Sequence, residues 1–193
     1  MTEVLTREHL EAKFAAKFPD AGKADPEVKD YLTMRLASAE ELAPVVEWLK
    51  GEMGFGYLDM VTAVDWHGPV DLKGYIREPN PNVFRPDGEV PAVLPPRKGA
   101  NVAYRDAIEL VYCLTNLDAR LKVFLKVDVP RDGGRAPSLA RLFDSADWQE
   151  REVFDLLGVA FEGHPNLKKI LTPDFMRGHP LRKDYVHEAD RFD

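Results

Sequence analysis

The sequence predicts an α+β protein: a two-layer domain whose mixed sheet of about five strands is packed by helices, followed by an extended, irregular C-terminal tail. Three observations carry this. The element order is helix, strand, helix and then three strands. Residues 108–115 and 121–129 alternate strictly between two faces, and the link between them is short enough for a hairpin. Beyond Gly158 no helical or strand period recurs, although Gly-His-Pro units punctuate the chain.

The first helix is expected to begin after Thr6, with Leu10, Phe14 and Phe18 on one face, and to end at Pro19. Tyr31 to Ala37 reads as a short strand. Ser38 and Glu41 form a capping box ahead of the apolar stripe Leu42, Val45, Val46, Leu49 and Met53. Pro44 interrupts that stripe, so either the first turn is irregular or the helix starts near Pro44. Gly54 stops it, and Tyr57 to Trp66 follows as a strand. Asp65, Trp66 and His67 fit a strand end, which a terminating turn explains.

In the first strong strand Ile108, Leu110, Tyr112 and Leu114 oppose Glu109, Val111, Cys113 and Thr115. In the second, the odd-numbered residues Leu121 to Val129 face a core, while Lys122, Phe124, Lys126 and Asp128 face a wetter side. Between these strands and Trp66 the pattern dissolves. Seven of the fifteen prolines lie in the 68–104 insert, which is consistent with a flexible insertion or a partner-binding loop. The apolar pieces Val83-Phe84 and Val90 to Leu94 favour docking. The expected division is residues 1–146 as the α+β domain, with that insert, and residues 147–193 as a capped helix and docking tail.

A chain of 193 residues with 45% hydrophobic content supports one core. No run approaches the roughly 18 apolar residues of a membrane span, and the N-terminal stretch lacks a signal-peptide core. These features predict an intracellular protein. A net charge of −7 argues against nucleic acid as the main partner. The segment from Phe161 to Tyr185 is mildly basic, which suits an acidic partner; a solvated linker also fits. Cys113, the sole cysteine, can form neither an internal disulfide nor an iron–sulfur cluster alone. Its place inside a strand predicts a buried, inert thiol.

Asp147 is a natural N-cap with Glu150 in the reciprocal position, and Arg151 can pair with Asp155. Stability alone explains most of such a helix. In the tail, His164-Pro165 and His179-Pro180 each follow a glycine, Gly163 and Gly178, and Thr172-Pro173-Asp174 resembles the start of one helical turn. Leu167, Ile170, Leu171, Phe175, Met176 and Leu181 offer apolar anchors to a neighbour. Arg182, Lys183 and Asp184 offer charged contacts at its rim. His164, His179 and His187 with Asp174 and Asp184 invite a metal reading, but the spacing is loose. No phosphate loop, H-E-x-x-H or Ser-His-Asp order is present. The residues by themselves read as an interaction module.

Glu150-Arg151-Glu152, Asp155-Leu156-Leu157, His164, Lys168 and Ile170-Leu171, and the longer run EREVFDLLGVAFEGHPNLKKILTPDFMRGHPLRKDY, resemble the 30 kDa subunit family of respiratory complex I. Its bacterial members are the C-type subunits of NADH-quinone oxidoreductase. GFGYLDMVTAVDW resembles the family's N-terminal domain. Val186 departs from the proline common after Lys-Asp-Tyr185, and the insert is longer than the family suggests.

The resemblance implies a peripheral-arm subunit without a cofactor or catalytic residue of its own. FMN and iron–sulfur clusters would sit in partner subunits, with NADH and quinone as substrates of a proton-translocating complex. The implied partners are other peripheral-arm subunits, above all the large quinone-site subunit. The implied location is the cytoplasmic face of the bacterial inner membrane, with membrane contact only through the complex. The interface residues it implies are Glu150, Arg151, Glu152, Asp155, Gly163, His164, Pro165, Lys168, Ile170, Leu171, Pro173, Gly178, His179, Pro180, Leu181, Arg182, Lys183, Asp184 and Tyr185. Acidic replacements of Arg182 and Lys183 are then expected to weaken assembly without altering the domain. Two alternatives stand: a homologous subunit of a membrane-bound hydrogenase or other quinone-linked dehydrogenase, and a small metalloenzyme using the three histidines.

Overall fold

The computed structural model describes residues 5–24, 27–29, 31–68 and 104–186. The 69–103 part of the insert, with its apolar pieces Val83-Phe84 and Val90 to Leu94, and His187 lie outside the described residues. Helix α1 spans Arg7–Lys17, with the Thr6 hydroxyl accepting from His9 N–H at 3.3 Å. Strands β1 (Gly22–Lys23) and β2 (Leu32–Arg35) follow. A 3₁₀ turn, Ala39–Glu41, then leads into α2, Leu42–Gly51. The irregular first turn expected from Pro44 is this 3₁₀ segment. Glu41 accepts from Ala37 N–H at 3.0 Å, one residue before Ser38, and Ser38 makes no capping bond, so the expected capping box does not form.

Strands β3 (Tyr57–Asp65), β4 (Ala107–Asn116) and β5 (Leu121–Pro130) are the three long strands. After them come β6 (Arg135–Pro137), α3 (Asp144–Leu157) and β7 (Ala160–Glu162). The main sheet has the order β1-β2-β5-β4-β3. Only the β2–β5 pairing is parallel, so the sheet is mixed as expected. The β4–β5 hairpin pairs Ala107 with Pro130 through to Asn116 with Leu121. A separate parallel pair, β6–β7, joins the loop before α3 to the chain after it.

All three helices contribute to one core on one face of the sheet, which gives two layers. Leu10 and Phe14 of α1, Val45, Val46 and Leu49 of α2, and Val153 and Leu157 of α3 meet Ile108, Leu110, Tyr112 and Leu114. Phe14, Phe18 and Trp48 stack edge-on or tilted between α1 and α2. The other sheet face is drier than its sequence suggests. Val111, Cys113 and Phe124 form a small second cluster. Beside it Glu109 is buried and accepts from Arg35 at 2.5 Å and Arg105 at 2.7 Å. Burial pushes the Cys113 thiol up to about 12, and the Asp59 charge beside it adds to the rise, in keeping with an inert cysteine.

Candidate subunit-docking site

Helix α3 lies along β3, an edge strand of the sheet. Its side chains close that edge: Ser145 donates to the Leu58 carbonyl at 3.2 Å, and the Gln149 amide oxygen accepts from Val61 N–H. The helix starts at Asp144, not at Asp147, and its N-cap is the extended residue Phe143. Phe143 and Ala146 are core residues, and burying them draws the N-cap back by four positions, from Asp147 to Phe143. The expected Asp147–Glu150 capping box therefore does not form.

Glu150 instead turns inward. Its carboxyl accepts from Leu139 N–H and the Ser138 hydroxyl, each at 2.6 Å, and so pins the loop before α3 to the helix. His164 closes the other side with a fully buried side chain. Its Nδ1 accepts from Asn166 N–H at 3.0 Å, which leaves the proton on Nε2, 3.1 Å from the Asp147 carbonyl. Nε2 also lies 3.4 Å from Asp147 Oδ1 and 3.9 Å from Glu150.

Burial pushes Glu150 up to about 7 against the pull of Ser138 and Leu139, and the Asp147 charge adds to the rise. A raised value in the folded state means that the native protein binds more protons than the unfolded chain between pH 4.5 and about 7. Stability from this group is complete below that window and falls as pH rises through it, by roughly 3 kcal/mol. Urea denaturation from pH 5 to 8 should show this decline, and Glu150→Gln should flatten it. A wild-type midpoint that rises across this range would contradict the assignment.

Asp155, also fully buried, organises the tail. One oxygen accepts from Ile170, Leu171 and Thr172 N–H at 3.0, 2.8 and 2.9 Å; the other accepts from the Thr172 hydroxyl. Burial alone would raise this carboxyl, but the Thr172 and backbone donors outweigh it and hold it below its usual range. Asp155 is thus unavailable to Arg151. Arg151 instead donates to the Lys168 carbonyl at 3.2 Å and stacks on Trp148.

The last carbonyls of α3, which a helix leaves without internal partners, are also met by the tail. His179 Nδ1 sits 2.9 Å from Asp155 O, Leu181 N–H donates to Leu156 O at 3.0 Å, and Arg182 Nε donates to Leu157 O at 2.8 Å. Gly158 permits this approach. Its φ is +78°, and a Cβ there would lie 2.4 Å from His179 Nε2.

A third anchor joins the tail to the sheet. Asp65, on the core face of β3, receives a two-pronged contact from Arg131 just beyond β5, at 2.9 and 3.0 Å. It also accepts from His67 N–H at 3.0 Å and Lys183 N–H at 2.9 Å. Burial opposes its ionisation, but Arg131 and the two N–H donors hold it below the usual range. Arg131 also donates to Asp184 at 2.6 Å, and its carbonyl accepts from Arg182 at 2.6 Å.

The site residues expected from the sequence therefore divide. Glu150, Asp155, His164, His179, Arg182 and Asp184 serve this chain's own packing, and the Lys183 N–H does too. Arg182 and Asp184 are not free rim charges. Replacing Arg182 would disturb the α3 terminus itself, which corrects the expectation of an unchanged domain. Gly163 and Gly178 have φ of +80° and +76° at turns, and Pro173 O accepts from Met176 N–H. Tyr185 N–H donates to Arg182 O, and its ring packs beside Gly178. Glu152, Pro165 and Lys168 are exposed, Ile170 and Pro180 half-buried. Among the described residues no group of three His, Cys, Asp or Glu is placed to hold a metal ion.

Trp148, Leu171, Phe175 and Leu181 remain outward, at 64%, 60%, 70% and 57% exposure.

The model of the family described as "Respiratory-chain NADH dehydrogenase, 30 Kd subunit" matches residues 36–191, from the start of the α2 region through the tail. The chain belongs to this family. As a 30 kDa-type subunit it is 35% identical over 147 residues to the C-type NADH-quinone oxidoreductase subunit of Moorella thermoacetica, covering 76% of this chain and 75% of that one. It is 45% identical over 82 residues to the C/D-type subunit of Edwardsiella ictaluri, 42% of this chain but 14% of that longer protein. The trypsin-resistant fragment of Nqo5 shares its fold with a TM-score of 0.54 and 27% identity. That match covers 83% of this chain and 98% of the fragment.

Proposed function

We propose that this chain is a cofactor-free structural subunit of the peripheral arm of a proton-translocating NADH:quinone oxidoreductase. In this reading it docks through its α3–tail face against the large quinone-site subunit, at the cytoplasmic face of the bacterial inner membrane. FMN and iron–sulfur clusters belong to partner subunits. The chain supports electron transfer from NADH to quinone by holding those partners in register.

One observation carries the reading: four large apolar side chains project from a surface whose backbone is tied to the buried carboxylates of Asp155 and Asp65. A surface ordered before contact loses little conformational entropy on docking. The C/D relative, which carries two subunit designations on one chain, favours the D-type subunit as the neighbour. The buried, unreactive Cys113 suits a subunit that houses no redox centre.

The test is a tagged chain purified from gently solubilised membranes, as wild type and as Trp148→Glu/Phe175→Glu. Wild type should bring down flavin and iron–sulfur subunits with NADH:quinone activity. The double variant should fold normally, because both side chains are exposed, yet lose at least tenfold of the co-purified activity. Full assembly of the variant would remove the α3–tail face as the docking surface. Recovery of nickel–iron hydrogenase subunits instead would reassign the complex.

A further inference from the structure

The strongest unassigned feature lies at the other end of the sheet. A cleft of about 210 Å³ is lined by Arg7, Leu10, Tyr31, Leu32, Arg120, Leu121 and Lys122. It opens where β2 and β5 begin, whereas the Asp65–Arg131 anchor lies past the Pro130 end of β5. A strand of that length separates the two by roughly 30 Å. The cleft is therefore no part of the docking site.

Its chemistry is two-sided. Leu10 and Leu32 are core residues, and with Leu121 and the Tyr31 ring they give it an apolar wall. Three cations line the rest. Arg7 pairs with Glu27 at 3.3 Å and Lys122 with Asp59 at 3.0 Å, so those two charges are offset. Among the described residues Arg120 makes no ion pair.

The backbone supplies a second, independent observation. Among the described residues the non-glycine positions with left-handed backbone are Lys29 and Arg120, each with φ of +53°. Both are basic. Arg120 lines the cleft, and Lys29 stands two residues before Tyr31, which also lines it. Hairpin turns that need this geometry favour glycine or asparagine, and a long side chain held there is strained. Strain of this kind clusters where a side chain has a task beyond folding.

We propose that the cleft binds a small amphiphile with an oxyanion head, a carboxylate or a phosphodiester. The Arg120 guanidinium takes the head group, with Arg7 and Lys122 as flanking donors. Leu10, Leu32, Leu121 and Tyr31 cover a short apolar body. The volume, about seven water-sized portions, holds a head group and a few carbons but not a folded partner.

The test uses the purified full chain and follows the Leu10, Leu32 and Leu121 methyl resonances. It titrates octanoate, acetate, inorganic phosphate, and dihexanoyl phosphatidylglycerol below its micelle concentration. Octanoate or the phosphatidylglycerol should bind at least tenfold tighter than acetate or phosphate. Octanoate alone would indicate a free acid, the phosphatidylglycerol alone a lipid source. Arg120→Gly, which relieves the strained backbone and should fold at least as well, should weaken binding tenfold or more. Absence of methyl shifts with both amphiphiles, equal affinity for acetate, or unchanged binding in Arg120→Gly would each overturn the proposal.

Discussion

Replacing Arg131 with alanine is expected to destabilise the protein by about 3–5 kcal/mol, the usual cost of leaving one member of a buried ion pair unpaired. For a chain of this size that corresponds to a fall in Tm of roughly 10 °C. Asp65 keeps its two backbone donors but loses both prongs of the guanidinium, in a place its side chain cannot leave for water. Asp184 loses its partner in the same step. The loss should therefore be partly repaired by removing the stranded charge. The Asp65→Asn/Arg131→Met pair, compared with Arg131→Met alone in urea melts, should recover more than half of it. A single-variant cost below about 1 kcal/mol would show that the anchor is not what the geometry implies.

The second large effect is local. Asp155→Ala removes the acceptor for three consecutive backbone N–H groups and a hydroxyl. Unpaired buried donors cost about 1–3 kcal/mol each, so the tail should detach instead of remaining seated. Trypsin cleavage at Lys168, Lys169 and Arg177 should accelerate at least tenfold, and hydrogen exchange at Ile170 to Thr172 should rise, while the sheet amides stay protected. Asp155→Asn, which keeps an acceptor oxygen, should be intermediate.

The same residue carries an acid signature in the wild type. Its folded-state value is depressed, as is that of Asp65. Their contribution is thus full above the ordinary carboxylate range and lost as pH falls below it. Acid should therefore release the tail, whereas the Glu150 contribution is lost in the opposite direction.

Much of the body was legible because burial imposes periods. Leu10 and Phe14 mark α1 at helical spacing, and alternation marks β4 and β5 almost to the residue. The two-residue β1 and the β6–β7 pair were not legible, since three residues or fewer hold no period. The inner workings of the tail were hidden for another reason. Asp155 and Glu150 act on backbone N–H groups, which every residue except proline carries, so nothing in the sequence marks the recipient. A capping box was the nearest local explanation for Glu150, and burial of Phe143 and Ala146 overrode it. Asp65 did leave a trace. It occupies a core-face position opposite Ile108, where a charge demands a counter-ion.

The C-terminal end of α3 has its carbonyls closed by residues that come more than twenty positions later. During synthesis those carbonyls are left to water until His179, Leu181 and Arg182 have been made. Order then spreads backward along the polypeptide, from the newest residues to older ones. A chain cut short before Arg182 would lose more than its end, because it would carry an unfinished helix beside the sheet edge that this helix is there to close.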